Sequence, residues 1–255
     1  MTKDKYLWLV NKNNHFDEEM LSQFEYVKTR DSDGKTYIEK QTSIAYVALK
    51  EYLLKEYGIT LYLTSAGRSL TTQQQVWDWY RADHTEEETQ ATVALPGTSE
   101  HHTGLALDVK PEFAYPALIQ KLIDKLPLPE RIAYFRQPDK DQKDLMYQAL
   151  HESLEQFGFI LRYTKDKQDI TGVKPERWHI RYVGVENAKA INAKGMCLEE
   201  YVEDLQAQET QENSATQAAP AEPIKEENIT EVVIVDPIVS QVFEGASKAK
   251  EEKVQ

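Results

Sequence analysis

The chain has 255 residues, of which 40% are hydrophobic, and a formal net charge of −13. This length and hydrophobic content are sufficient for one sizeable core. Because no basic cluster offsets the negative charge, the composition argues against a protein that binds nucleic acid or an anionic membrane surface. The one cysteine, Cys197, excludes an internal disulfide, and its place before the last predicted helix indicates a small apolar packing residue.

The N-terminal residues resemble no targeting segment. The apolar run Tyr6–Val10 is too short for a signal peptide, and no small-residue cleavage site follows it. Nowhere does the sequence approach the roughly 20 consecutive apolar residues of a membrane-spanning helix. We therefore expect a cytoplasmic protein, unless the chain has lost a leader peptide.

The spacing of apolar residues predicts helices and strands that do not alternate as repeated βαβ units. The predicted helices are 44–54, 70–80 with Ser69 as N-cap, 147–157 ended by Gly158, 185–193 and 198–205. The predicted strands are 59–63, 104–109 and 178–183. Helical spacing over 118–126 indicates a further helix that either shapes a cleft or packs. The predicted fold class is α+β, a single domain with a mainly antiparallel sheet flanked by helices.

The composition changes at about Gln206. Residues 206–255 contain ten acidic residues and four lysines, and they are rich in Ala, Gln, Glu and Pro. Such a segment cannot bury enough apolar surface to offset its ordering entropy. We therefore predict a disordered acidic tail at 206–255, after a domain of residues 1–205. The one apolar run of the tail, Val232–Val235, is a candidate strand or short recognition motif.

Two short motifs carry the residue types that zinc chemistry requires. His101 and Asp108 lie seven positions apart, and His179 lies three positions after Glu176. Catalytic zinc takes three N or O ligands from the protein and keeps a fourth position for water. The two histidines and Asp108 supply that number, which leaves Glu176 to take a proton from the attacking water. Each pair alone is more typical of a structural hydrogen bond, but their occurrence together favours a zinc hydrolase.

The residues around the two motifs predict how each one folds. The apolar positions of the first strand are Leu105, Leu107 and Val109, which alternate with small residues. On a period of two, Asp108 lies on the face opposite the leucines, and His101 falls in the turn before the strand. His179 projects from the second strand in the same way. The apolar positions of that strand, which we predict to be core, are Trp178, Ile180 and Tyr182.

Three segments form an ordered set of longer motifs. They are Ser65–Ser69 with Gln73, the Ser-x-His-x-x-Gly-x-Ala-x-Asp motif at Ser99–Asp108, and Gly158–Tyr163 continuing to Glu176–Gly184. This set resembles the VanY/VanXY-type D-alanyl-D-alanine carboxypeptidases and dipeptidases, zinc peptidases of bacterial peptidoglycan metabolism. The resemblance covers residues 6–203. It implies a hedgehog/D,D-peptidase-like fold.

The resemblance assigns roles position by position. The zinc ligands that it implies are His101, Asp108 and His179. Glu176 is the implied catalytic base, and the motif spacing selects His101 over its neighbour His102 as the ligand. The substrate-binding residues that it implies are Arg68, Ser99 and Gln73, of which the last two alternatively order a loop. Arg68 suits a scissile carbonyl or a terminal carboxylate, because a guanidinium is permanently charged and presents two parallel donors.

One position departs from the family pattern. The family commonly has an aromatic residue just before the arginine, whereas this chain has Gly67. We therefore expect a wider pocket beside Arg68, which leaves the preferred length of the substrate open.

The implied activity is that of a zinc-dependent D,D-carboxypeptidase or D,D-dipeptidase, acting on peptidoglycan-derived peptides that end in D-Ala-D-Ala. An L,D-carboxypeptidase that removes D-Ala from tetrapeptides, or a phage-type endopeptidase, is the alternative within the class. A catalytically silent module that binds peptidoglycan fragments is a further alternative. The intact Glu176 and the full set of ligands argue against that module.

Overall fold

The computed structural model of the chain describes residues 3–28, 36–114 and 140–218. The strands are β1 (Tyr26–Lys28), β2 (Tyr37–Glu39), β3 (Ile59–Ser65), β4 (Ala106–Phe113), β5 (Phe159–Tyr163) and β6 (Glu176–Tyr182). The helices are α1 (Lys40–Tyr57), α2 (Leu70–Arg81), α3 (Glu86–Gln90), α4 (Lys140–Ser153), α5 (Gln168–Thr171), α6 (Val185–Lys194) and α7 (Leu198–Ala218). Short 3₁₀ turns lie at Lys5–Leu7, Glu18–Gln23, Glu100–Thr103, Leu154–Phe157 and Lys165–Lys167.

Strands β3 to β6 form one sheet, in the order β3-β4-β6-β5. Every neighbouring pair in this sheet is antiparallel, and β1 pairs with β2 separately. The predicted α+β class with an antiparallel sheet and flanking helices is therefore confirmed. The strand order places β4 and β6 next to each other at the centre of the sheet.

One face of the sheet packs against α1 and α4. Alternation along β4 directs Leu107 and Val109 to this face, and Ile180 of β6 joins them. All three are fully buried. The buried residues that the two helices contribute include Tyr46, Leu49, Leu53, Met146 and Leu150. Each buried side chain of this size stabilises the fold by roughly 1.5–3 kcal/mol. This core therefore fixes the strands of the sheet in place.

A second apolar cluster lies against α6 and α7. Its members are Leu7, Ile160, Val183, Ala188, Ile191, Leu198, Tyr201 and Val202. The cluster joins the N-terminal turn to β5 and to the two last helices, which fixes the start of the chain beside the sheet. Cys197, just before α7, is buried as the sequence indicates, and burial raises the pKa of its thiol to about 11.

The structure confirms the predicted elements that lie within the described residues and lengthens several of them. Ser69 caps α2, because its hydroxyl accepts a hydrogen bond of 3.1 Å from the Thr72 amide. The helix predicted to end at Gly158 is α4 followed by a 3₁₀ turn, and Gly158 closes that turn at a φ of 79°. Helix α7 continues beyond Leu205 to Ala218. The boundary at residue 205 stays a prediction.

Two predicted segments lie wholly or partly outside the described residues. They are the helix over 118–126 and, in the tail, residues 219–255. Among the helices that the structure describes, none combines the length and the apolar character needed to cross a membrane.

Candidate active site and metal centre

Strands β4 and β6 bring two of the predicted ligands together, because Asp108 and His179 are direct cross-strand partners. Nδ1 of His179 lies 3.3 Å from Oδ1 of Asp108. His101 lies in the 3₁₀ turn before β4, as predicted, with its Nε2 3.4 Å from Oδ2 of Asp108. One ligand atom from each of the three residues lies within 4.8 Å of the others. A single metal ion can therefore contact all three.

Gly104 allows His101 and Asp108 to lie close together. Gly104 ends the 3₁₀ turn in the left-handed region, at a φ of 71°, and the chain then enters β4. A Cβ atom at this position would lie 2.9 Å from the ring of Tyr26, so the chain is also too crowded here for a larger residue. The glycine of the family motif thus sets the direction of the chain between His101 and Asp108.

The hydrogen bonds of His101 prepare it for a metal. Its Nδ1 lies 2.7 Å from the Ala66 carbonyl oxygen, which can only accept, so Nδ1 carries the proton. Nε2 then has a free lone pair. Within the described residues, neither His101 Nε2 nor Asp108 Oδ1 has a hydrogen-bond partner, although both are buried. Unpaired buried N and O atoms converging on one point fit the ligand set of zinc.

Negative charge surrounds His179. Burial alone would lower the pKa of this histidine, but the carboxylates of Asp108, Glu100 and Glu176 outweigh burial and hold its pKa well above the ordinary value. Burial would also raise the pKa of Asp108, but the neighbouring His101 and His179 hold that pKa below its usual range. The centre therefore favours an added positive charge, which a divalent cation supplies.

Glu176 lies beside the proposed ligands at the start of β6. Its Oε2 is 3.3 Å from Nδ1 of His179, and its side chain is 14% exposed. It lines a cavity of about 680 Å³ together with all three ligands. A carboxylate at the wall of an open cavity and next to a metal centre suits a general base.

Arg68 reaches the same centre from the loop after β3. Its Nη2 lies 3.9 Å from Oδ2 of Asp108, and its side chain is 15% exposed. The backbone of this loop is held at three points: the Arg68 amide donates to the His101 carbonyl oxygen, and the Arg68 carbonyl oxygen accepts from His102 Nδ1 and from the Tyr37 hydroxyl. Arg68 is thus fixed beside the ligands. The structure gives His102 this supporting position, and it is His101 that lies with Asp108 and His179 in the group whose ligand atoms are within 4.8 Å of one another.

The two weaker candidates also line the cavity. The amide of Gln73 donates a 2.8 Å hydrogen bond to the Ala94 carbonyl oxygen, so this side chain orders a loop. Its Oε1 is buried and has no hydrogen-bond partner in the described part of the chain. Ser99 precedes the turn that carries His101, but its side chain makes no capping hydrogen bond there.

Gly67 is crowded on the side of Tyr37, and the expected wider pocket beside Arg68 stays a prediction. The Gly67 amide donates a 2.8 Å hydrogen bond to the Tyr37 carbonyl oxygen of β2. A Cβ atom on Gly67 would lie 2.5 Å from Cδ2 of the Tyr37 ring. Tyr37 therefore fills the space next to this glycine.

Trp178 also differs from its prediction as a core residue. It is 43% exposed and lines the cavity, whereas Ile180 is fully buried. The pairing of β4 with β6 begins at the Asp108–His179 pair, so Trp178 has no pairing partner in β4.

The sequence interpretation missed a group of buried charges near the predicted ligands, most of which also line the cavity. We call it the buried ion network; its residues are Glu100, Arg162, Arg181 and Glu199. Arg162 donates to Oε1 of Glu100 at 2.8 Å and to both oxygens of Glu199 at 2.6 and 2.8 Å. Nη1 of Arg181 lies 3.1 Å from the same Oε1 of Glu100. The detectable signal was an arginine flanked by apolar residues in each of two predicted or neighbouring strand segments, Leu161–Tyr163 and Ile180–Tyr182.

Charges in the buried ion network compensate one another. Burial alone would raise the pKa of the Glu100 carboxyl, but Arg162 and Arg181 outweigh burial and hold its pKa below the usual range. Glu100 also approaches the metal centre, since its Oε2 lies 3.7 Å from Nε2 of His179.

A His-Asp-His centre with a free carboxylate beside it, in an open cavity on an antiparallel sheet, is the arrangement of a zinc peptidase. The sequence matches the family described as VanY, D-alanyl-D-alanine carboxypeptidase, over residues 35–185. It is 34% identical over 172 residues to the bifunctional D-Ala-D-Ala dipeptidase and D-Ala-D-Ala carboxypeptidase VanXYC of Enterococcus gallinarum. That match covers 67% of this chain and 80% of the relative.

Solved structures agree with this relationship. A mutant of the vancomycin-resistance D,D-pentapeptidase VanY, in complex with Zn(II), has a TM-score of 0.58 and 30% identity, covering 78% of this chain and 99% of that one. The LdcB LD-carboxypeptidase has a TM-score of 0.59 and 29% identity, covering 80% of this chain and 88% of that one. The chain belongs to the VanY D-alanyl-D-alanine carboxypeptidase family. It is a metallopeptidase with zinc as its cofactor.

Proposed function

We propose that this chain is a D,D-carboxypeptidase or D,D-dipeptidase that hydrolyses the D-Ala-D-Ala end of peptidoglycan-derived peptides. His101, Asp108 and His179 hold the zinc ion. The observation that carries the proposal is the placement of Glu176 Oε2 3.3 Å from His179 Nδ1, at the wall of the cavity that the ligands share. VanXYC, to which the chain is similar, is named for both activities on D-Ala-D-Ala.

The side chains divide the reaction between them. When bound, zinc lowers the pKa of a coordinated water to about 7 and polarises a carbonyl group. Glu176 accepts the proton of the attacking water and then passes it to the amine that leaves. The guanidinium of Arg68, fixed through its backbone and close to Asp108, donates to an oxygen that gains negative charge or to the terminal carboxylate of the substrate.

An L,D-carboxypeptidase is the second candidate. The similarity to the LdcB LD-carboxypeptidase supports it, because the TM-score and the identity are close to those of the VanY structure. The two activities differ in the configuration of the residue before the terminal D-Ala. Cleavage products distinguish them directly.

The test uses zinc-loaded protein and three substrates: D-Ala-D-Ala, a stem tetrapeptide with an L-residue before its D-Ala, and a stem pentapeptide that ends in D-Ala-D-Ala. Mass spectrometry identifies the products. Release of D-Ala from the dipeptide or pentapeptide supports the proposal. Release from the tetrapeptide alone assigns the L,D activity. Zinc-loaded, folded protein that binds these peptides and cleaves none of them is a binding module. Chelator-treated protein is the control.

A further inference from the structure

We propose that Glu100 is a positioning residue for the metal centre: it accepts the Nε2–H of His179 and so leaves Nδ1 of that ring free for zinc. The inference rests on the ligand set proposed above. The family motifs assign no role to Glu100. Within the described residues, it forms no hydrogen bond with Glu176, the proposed base, or with Arg68.

The two ring nitrogens of His179 have different surroundings. Nδ1 lies 3.3 Å from Asp108 Oδ1 and 3.3 Å from Glu176 Oε2, on the side of the cavity. Nε2 lies 3.7 Å from Glu100 Oε2. A neutral imidazole carries one proton, so the ring presents a lone pair to the metal at Nδ1 only when the proton is on Nε2.

Glu100 Oε2 and His179 Nε2 are both buried, and within the described residues neither has a hydrogen-bond partner. Their separation of 3.7 Å exceeds hydrogen-bond length, so a shift of a few tenths of an ångström would join them. A proton on Nε2 gives each atom a partner. A proton on Nδ1 would instead set the Nε2 lone pair against a carboxylate oxygen.

The buried ion network fixes the orientation of Glu100. Its Oε1 accepts from Arg162 and lies 3.1 Å from Arg181 Nη1, which leaves Oε2 for His179. Arg162 is held in turn by a bidentate pair with Glu199 of α7. Arg181 donates to the carbonyl oxygens of residues Tyr6 and Trp8. Both guanidinium groups are therefore held by further acceptors besides Glu100.

The substitution Glu100→Gln tests the contact sharply. The arginines require an acceptor at the position of Oε1, so the glutamine carbonyl faces them and its NH₂ faces His179. That donor pairs only with an unprotonated Nε2, which moves the proton to Nδ1 and blocks zinc. We expect zinc affinity, measured by competition with a chelating indicator, to fall about 10- to 100-fold, the range found when such supporting partners are lost.

The matched control is Glu199→Gln. It removes the same charge from the same buried ion network but makes no contact with His179, so it reproduces any general loss of stability. We expect its zinc affinity to stay close to that of the wild type. An equal loss of affinity in both variants would overturn the proposal, as would wild-type affinity in folded Glu100→Gln.

Nitrogen NMR of the zinc-loaded wild type keeps the test independent of whether Glu100→Gln folds. We expect His179 to carry a proton on Nε2 and to bind zinc through Nδ1, with the signal assigned from its absence in His179→Gln. Coordination through Nε2, or no coordination by His179, would refute the inference. These readouts need no substrate. Protein that shows them but cleaves no D-Ala peptide would leave this inference standing and refute the proposed function.

Discussion

Glu176 and His179 lie in the same short strand but have different chemical surroundings. His179 is buried and faces two further carboxylates, whereas Glu176 is 14% exposed at the wall of the cavity. A residue that transfers protons needs this access to solvent and substrate, and a ligand does not. The difference in exposure distinguishes Glu176 from the two histidines, whereas Asp108, whose side chain is 18% exposed, is distinguished by its position as the cross-strand partner of His179.

The first prediction follows from that separation. Glu176→Gln keeps the size of the side chain but removes the proton acceptor. We expect it to retain zinc and its melting temperature and to lose at least about 100-fold in turnover, the lower range for general-base catalysis. Elemental analysis and steady-state kinetics measure the two effects. Loss of zinc from this variant would show that Glu176 is a ligand and would reopen the role of Asp108.

The second prediction concerns the geometry of the charged group at residue 68. Arg68→Lys keeps a positive charge but loses the planar pair of donors, so activity should fall strongly while zinc content is unchanged. Kinetic constants then assign the role. A fall in kcat indicates stabilisation of the transition state, and a rise in KM alone indicates anchoring of the substrate carboxylate. Near-normal constants in Arg68→Ala would remove this residue from the site.

At the scale of elements, the sequence pattern predicted those features of the site that depend only on residues close together in the sequence. Alternation placed Asp108 on one face of β4, and the motif spacing put His101 in the preceding turn. Strict alternation would place Glu176 and His179 on opposite faces of β6, because they are three positions apart. A register shift against β5, between Leu161 and Tyr163, accompanies their approach. Such a shift depends on the partner strand and is absent from the local pattern.

The packing of β2 against the Arg68 loop could not be predicted from the local sequence pattern either. Tyr37 precedes Gly67 by thirty positions, and its contact with that glycine arises only when β2 and the loop after β3 meet. An aromatic ring is thus present beside the arginine, but it comes from another element. The sequence showed that the aromatic residue of the family pattern is missing, but not that Tyr37 packs against Gly67.

The third prediction tests whether the Tyr37 hydroxyl helps to hold the Arg68 loop in place. Tyr37→Phe removes the hydroxyl that donates to the His102 and Arg68 carbonyl oxygens at 2.8 and 3.1 Å. We expect a loss of about 1 kcal/mol in the free energy of unfolding, together with reduced kcat/KM from a looser Arg68. Tyr46→Phe is the matched control, because its buried hydroxyl donates to the Leu61 carbonyl oxygen away from the site. Equal kinetic effects in both variants would contradict the assignment.

At the scale of the whole molecule, the buried ion network connects parts of the chain that are distant in sequence. Glu199 of α7 pairs with Arg162 of β5, and the start of the chain receives two hydrogen bonds from Arg181 of β6. A buried arginine in an apolar strand signals that an acidic partner exists. Which acid fills that position depends on how the last helix docks, so the missed signal in the sequence could have indicated the buried charge but not its partner.

The last prediction is that residues beyond Gln206 are dispensable for catalysis. The last α7 residues in the second apolar cluster are Tyr201, Val202 and the partly buried Leu205. Past them, the ion pair between Lys3 and Glu209, at 3.8 Å, is exposed and contributes little. A chain ending at Gln206 should therefore keep its zinc, its activity and a melting temperature within a few degrees of the full chain.

A chain ending at Cys197 also loses Glu199, which leaves Arg162 buried with one acid fewer, a defect that typically costs about 3–5 kcal/mol. We expect this shorter chain to unfold. Unfolding or inactivation of the chain that ends at Gln206 would mean that the segment beyond it completes the domain, and the boundary at residue 205 would be wrong.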